Sequence, residues 1–429
     1  MNMIFKTTIL GLIFFAGLTK VIAHTPAPPQ QHPIVVTGGT IHTITGEVIT
    51  DGMLLFDEGR IVAVGTDLDI PPGTEVLDAS GKHIYPGLVL SRSTLGITEI
   101  GRIAVSTDIV ELGNLNPNIR AQVAFHPASD HLSVAAVNGI TTTIVTPGGS
   151  LIAGMPAAMA TDGWTWEEMT IREGIAMVIN WPSMNNKENY EKDIKELQDA
   201  FDKARRYKRA REAVEQGESS IHHPIDTRWE ALIPVLRKDM PVHITANDIR
   251  QIQAAIAWTE KEDLELVLVG GRDIGLVADQ LAQKNIPVIV TGVISGPAHQ
   301  WEGYDEGYTT PLRLYEAGVE FCISGDMGAA NAYRLPHHAA AAAAFGLPEE
   351  EALKAITINA ARILGIGDLV GSIEPGKDAT IMITNGSPLE ISTKIEQVFI
   401  QGRKIDMTDR HLHLYKRHME KHRQQQMRK

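Results

Sequence analysis

Between residues 85 and 324, short apolar runs alternate with helical stretches, and this alternation constrains the fold more than any other feature of the chain. A strand followed by a helix and then another strand returns parallel to the first, so the pattern predicts a parallel sheet flanked by helices. Seven runs qualify as strands: 85–90, 140–146, 175–179, 241–245, 264–269, 287–291 and 319–324. The segment 188–216 has another character, with Ile194, Leu197, Phe201 and Ala204 on one face and dense Lys and Arg elsewhere. It is expected to be a solvated helix lying outside the strand layer.

The flanks follow a second grammar. From Ile34 to Asp78, β-branched runs are separated by Gly38-Gly39, Asp51-Gly52 and Glu58-Gly59, and similar runs return at 379–383 and 398–400 before a Gln401-Gly402 turn. Neither set is large enough for a stable sheet of its own, so both ends are expected to share one small β-sandwich. The expected boundaries are 34–84 and 369–405 for the two parts of the sandwich, with 85–368 between them.

Residues 1–23 read as an export signal: Lys6 precedes an apolar stretch, and Val21-Ile22-Ala23 offers small residues before a cut near His24. A periplasmic or secreted address follows as an expectation, with no stable membrane span once the signal is removed. The Pro- and Gln-rich residues 24–33 read as a linker, and 406–429 as a basic helical tail with seven Lys/Arg against three Asp/Glu. The lone Cys322 excludes an internal disulfide, so stability must come from packing. A formal charge of -13 argues against a nucleic-acid partner, because phosphate neutralisation needs clustered cations. A small-molecule substrate is the better expectation, and a homo-oligomer is compatible with the chain.

Three stretches carry a resemblance: Gly38-Gly39-Thr40-Ile41; Tyr85-Pro86-Gly87-Leu88-Val89; and Thr357 to Gly365 running into Val370-Gly371-Ser372-Ile373-Glu374-Pro375-Gly376-Lys377-Asp378-Ala379. Together they resemble the amidohydrolase superfamily, nearest to its imidazolonepropionase-like, exported bacterial branch. The resemblance implies a (β/α)8 TIM-like barrel joined to a small β-sandwich formed by both chain ends. One of the eight barrel strands has no counterpart among the seven runs. It also implies hydrolysis of carbon–nitrogen bonds with one or two metal ions, zinc being the expected ion, at the C-terminal ends of the strands.

Carried over residue by residue, the ligand set is incomplete. The family's His-x-His pair after the first strand is replaced by Arg92 and Thr94, and arginine does not ligate a metal. His243 matches the fifth-strand histidine and Asp326 the eighth-strand aspartate, whereas Gly270-Gly271 stands where the sixth-strand histidine is expected. Two ligands are fewer than the three a catalytic zinc site usually has. His126, His222-His223, His299 and His337-His338 remain as alternative ligands, and a prolidase-type arrangement would bring His126, His299 or His337 onto Asp326.

Arg92 is either a two-point receptor for a substrate carboxylate or phosphate, or a buried partner of Asp326 without chemistry. Gly270 and Gly271 either admit a ligand to the backbone or form a tight turn. The reading that follows is a carbon–nitrogen hydrolase with Asp326 as base or ligand, His243 as ligand or carbonyl polariser and Arg92 orienting the substrate. The alternative is a metal-depleted barrel that binds or scaffolds without catalysis.

Overall fold

The computed structural model describes residues 25–218, 220 and 224–427. The export-signal segment and His222-His223 lie outside the described residues. Strand β1 (Ile34–His42) pairs antiparallel with β2 (Val48–Asp57), which pairs with β3 (Arg60–Gly65). Strands β4 (Glu75–Asp78) and β5 (His83–Pro86) both run parallel to β1.

The chain then enters the central unit at Gly87. A Cβ there would sit 2.0 Å from the Thr141 hydroxyl, so this glycine permits close approach of two strands rather than an unusual dihedral angle. Strands β6 (Leu88–Ser93) and β7 (Ile140–Val145) are parallel. The strand that the sequence did not reveal is Ile152–Ala160, split at Pro156 into β8 (Ile152–Gly154) and β9 (Ala157–Ala160). It runs antiparallel to its neighbours: β9 pairs with β7, and β8 pairs with β11 (Met177–Asn180), while the short β10 (Thr170–Arg172) flanks β9. From β11 onward β12 (Val242–Thr245), β13 (Leu266–Gly270), β14 (Val288–Thr291) and β15 (Phe321–Gly325) add in parallel, in chain order. Among the described residues these pairings make a four-stranded and a six-stranded sheet, and no closed barrel. Two physical causes interrupt the ladder. Pro156 has no N–H to give at the split strand. At the other seam, β6 and β15 meet through cross-links that are not strand pairing, Ser324 Oγ to Arg92 O at 3.3 Å and Thr94 N to Met327 O at 2.9 Å.

The chain returns as β16 (Ile381–Thr384), β17 (Ile395–Ile400) and β18 (Arg403–Lys404). Because β16 pairs antiparallel with β5, strands from both chain ends form one eight-stranded sheet, where a two-layer sandwich had been expected. Its side chains alternate as a two-sided sheet requires. Ile84, Ile381, Ile383 and Phe399 join a cluster within this sheet, while Tyr85, Met382, Val398 and Ile400 join the core of the central unit. A third cluster gathers Val89, Ile144, Ala158, Val267, Val269, Ile289 and Cys322 with residues of the helix Ile358–Ile363. The segment leading into that helix meets the start of β6, where Val89 N donates to Ile356 O at 2.9 Å, whereas Arg92, His243 and Asp326 sit toward the far ends of their strands.

The helix Lys187–Glu215 buries Leu197, Ala200, Phe201 and Ala204 along one stripe. At the chain end, the helix Arg410–Gln426 buries no residue and is tied at its start by Arg410 to Asp130 at 2.7 Å. Among the described residues no helix is long and apolar enough to cross a membrane.

Candidate active site at the strand ends

Arg92 owes its position to an irregular strand. The β6–β7 register shifts between Leu90 and Ser93, so that Ser91 and Arg92 together oppose a single residue, and such a bulge re-aims the side chains beyond it. Arg92 reaches across to β12 and donates from Nη2 to Thr245 Oγ1 at 3.4 Å. This is its one side-chain hydrogen bond, and among the described residues no carboxylate lies within 4.0 Å of it. The expected alternative, an Arg92–Asp326 salt bridge, is therefore not formed.

His243, on β12 beside Thr245, is 5% exposed, and its Nε2 has no partner. Burial first, and then the Arg92 charge, lower its pKa to about 3, so the ring is neutral across the physiological range. Burial likewise lowers the Arg92 pKa from its ordinary value.

Asp326 follows β15 and is the more accessible group, its side chain 29% exposed. Its Oδ2 lies 3.0 Å from Arg334 Nη1, an ion pair, and 3.5 Å from His338 Nε2, neither a well-aligned hydrogen bond. His338 is fully buried, and its Nδ1 accepts the Ile294 N–H at 3.4 Å. In the neutral ring the proton is thereby left on Nε2, turned toward Asp326. Burial is the larger influence and lowers the His338 pKa, against the raising effect of Asp326. Thus the histidine brought to Asp326 is His338. His126 is exposed, and His337 lines a different cavity of about 590 Å³ beneath the C-terminal helix.

Thr94 is structural: its hydroxyl donates to Met327 O at 3.3 Å. Gly270 and Gly271 are explained by crowding of neighbouring backbones. A Cβ at Gly270 would meet Ala246 O at 2.2 Å, and one at Gly271 would meet Thr291 O at 1.9 Å.

Sequence reasoning missed a second group at the same end of the strands. Asp273, three residues beyond β13, meets His299 and Glu302 from the loop after β14, with one ligand-type atom of each within 4.8 Å of the others. Asp273 and His299 line a cavity of about 320 Å³ with Asn185, Asn247, Arg250 and Arg272. The only sequence signal was position, since Gly270-Gly271-Arg272-Asp273 begins where a ligand was sought. His299 itself had been named, with another partner.

The parallel central strands with helices between them, and polar groups gathered at the strand ends, define an α/β scaffold. The amidohydrolase family pattern matches residues 115–405, and the chain belongs to the amidohydrolase family. It is 22% identical over 393 residues to the amidohydrolase tasK of Hapsidospora irregularis, covering 82% of this chain and 39% of that protein. It is also 22% identical over 384 residues to adenine deaminase 1 of Latilactobacillus sakei subsp. sakei, covering 88% of this chain and 58% of that one. The chain thus spans less than two thirds of the length of both these relatives. Among solved structures, an amidohydrolase from Thermotoga maritima MSB8 superposes with a TM-score of 0.79 at 26% identity, over 87% of this chain and 99% of that one. A zinc-bound adenosine deaminase from Xanthomonas campestris shares the fold, with a TM-score of 0.51 at 16% identity over 92% and 99% of the two chains.

Proposed function

We propose that this chain hydrolyses a carbon–nitrogen bond in a small substrate that carries an anionic group. The observation behind the anionic group is Arg92, a largely buried guanidinium at the strand ends that no carboxylate of the described residues neutralises. A cation held out of water without a counter-charge is costly, and a substrate carboxylate gripped in two-point contact offsets that cost. Family membership supports the bond type. The two central sheets are read as the family's barrel, opened at the Pro156 and β6–β15 seams.

Members of this family ordinarily use metal ions, but the central position does not fit one. Among the described residues, His243, Asp326 and His338 do not bring three ligand atoms within 4.8 Å of one another, and the Arg92 charge bears directly on His243. The proposed chemistry therefore uses the side chains present. Neutral His243 donates from its unpartnered Nε2 to the scissile carbonyl oxygen. Asp326 accepts a proton as water attacks the carbonyl carbon, then returns it to the departing nitrogen. Arg334 and His338 hold the carboxylate in place.

The test is a screen of dipeptides and N-acyl amino acids beside the same compounds with the carboxylate amidated. Turnover of the free acids is expected, abolished by Asp326→Asn and reduced roughly 10- to 100-fold by Arg92→Lys, which keeps the charge and loses the fork. Equal turnover of free and amidated compounds defeats the anionic reading, and no turnover of either set defeats the hydrolase reading. The protein is also proposed to be exported. N-terminal sequencing from a periplasmic fraction should begin near His24, and a chain still starting at Met1 rejects this.

A further inference from the structure

We infer that Asp273, His299 and Glu302 form a binding site for one divalent transition-metal ion, zinc being the first choice, displaced from the position where the family would place it. The inference does not depend on the reaction proposed above. It rests on two separate observations.

The first is the orientation of lone pairs. His299 Nε2 lies 3.3 Å from Asp273 Oδ1 and 3.7 Å from Glu302 Oε1, and the three atoms share one locus. Each carboxylate is anchored through its other oxygen. Asp273 Oδ2 accepts the Ile249 N–H at 2.8 Å, at the first turn of the helix Ile249–Glu262. Glu302 Oε2 accepts the N–H groups of Ala298 at 2.5 Å and His299 at 3.1 Å. Backbone amides therefore fix both carboxylates with the remaining oxygen turned to the common point. The His299 ring is stacked on Trp301 at 5.2 Å and 7°, which fixes its plane as well. Held ligands of this kind are what outer contacts supply around metal sites.

The second is charge balance. The side chains of Asp273 and Glu302 are only 5% and 4% exposed. Among the described residues, neither has a Lys or Arg within 4.0 Å; His299 is the one ion-pair partner of both. Two carboxylates withdrawn from water beside a single imidazole are short of positive charge, and a dication at their centre supplies it. One nitrogen and two oxygens suit zinc or a neighbouring first-row ion better than calcium or magnesium, which prefer all-oxygen shells. Three protein ligands leave a coordination position open, and the adjoining 320 Å³ cavity has room for water or a small ligand there.

The experiment uses the full mature chain, stripped with chelator and titrated with zinc chloride alone by calorimetry, with bound metal counted by elemental analysis. One ion per chain is expected, together with a zinc-dependent rise in Tm. Cobalt in place of zinc should give visible absorption bands that change in His299→Ala, which loses the nitrogen ligand. Asp273→Asn and Glu302→Gln retain acceptors for the anchoring amides and should each weaken zinc binding at least tenfold, whereas His243→Gln should leave the stoichiometry at one. A wild-type chain that takes up no zinc overturns the proposal. Stoichiometric zinc that survives the Asp273→Asn, Glu302→Gln double variant overturns it too, since the ion then sits elsewhere.

Discussion

At Arg92 and His243 a single exchange of chemistry reshapes a whole site. Where a histidine pair would gather a cation, a guanidinium repels one, and burial first, then that charge, keeps His243 neutral. The same burial makes a stability prediction. His243 falls from the ordinary 6.5 to about 3, and His42, half-buried beside His83, falls to about 4. Because the folded pKa values are depressed, the unfolded chain binds more protons below pH 6.5, so stability is fully present above that value and declines as pH falls toward 4 and 3. Urea midpoints should accordingly drop between pH 7 and pH 4, and His243→Gln should flatten part of the drop; an unchanged slope in the variant rejects the assignment. The positions of His243 on β12 and Asp326 just after β15 were legible through the resemblance, which names those two strand ends. Arg334 was not, and His338 stood only among the alternative ligands, since their pairing with Asp326 depends on how the segment around the helix Leu335–Ala344 docks, which no local pattern encodes. Asp273 and Glu302 were hidden for the same reason.

The elements that sequence reading located are those with β-branched runs, and the one it missed shows what such reading depends on. Ile152–Ala160 is mostly Ala, Gly and Met around a proline, so it shows neither strand propensity nor alternation, and its antiparallel direction breaks the strand-helix rhythm. Its pairing is dictated by the neighbours β7 and β11. The glycines at the strand ends were legible as special, but only the packed backbone says why. Gly271→Ala would drive a methyl into Thr291 O, whereas the same change at Gly328 has nothing within 4 Å and a φ of -72°. The first substitution should cost about 1–3 kcal/mol or more, as overpacking does, and the second should stay within about 0.5 kcal/mol. Equilibrium urea unfolding of the two variants side by side checks this, and equal stability would mean that the strand ends are looser than drawn.

On the scale of the whole molecule, the two chain ends pair in one sheet that packs on the central unit. Strand β5 has β1 on one side and β16 on the other, so the N-terminal strands directly support the C-terminal ones. Phe56 of β2 meets Phe399 of β17 edge to face at 5.2 Å, both fully buried, across 343 residues of chain. Truncating either ring to alanine should cost about 3–5 kcal/mol, and the double variant should cost less than the sum, because the second truncation enlarges a cavity already made. Deleting residues 34–78 goes further. It strips β1 to β4 and exposes Ile84, Ile381, Ile383 and Phe399, whose neighbours Tyr85, Met382, Val398 and Ile400 belong to the central core. A sheet reduced to β5 and β16 to β18 has one bare apolar face, and such a remnant lacks the burial to hold itself together. Loosening it then withdraws side chains from the central core as well. The deletion should therefore abolish the single cooperative transition of the whole chain, seen as a lower and broadened urea transition by fluorescence and circular dichroism together. A truncated chain that unfolds cooperatively at undiminished denaturant would show that the central unit stands without its terminal sheet.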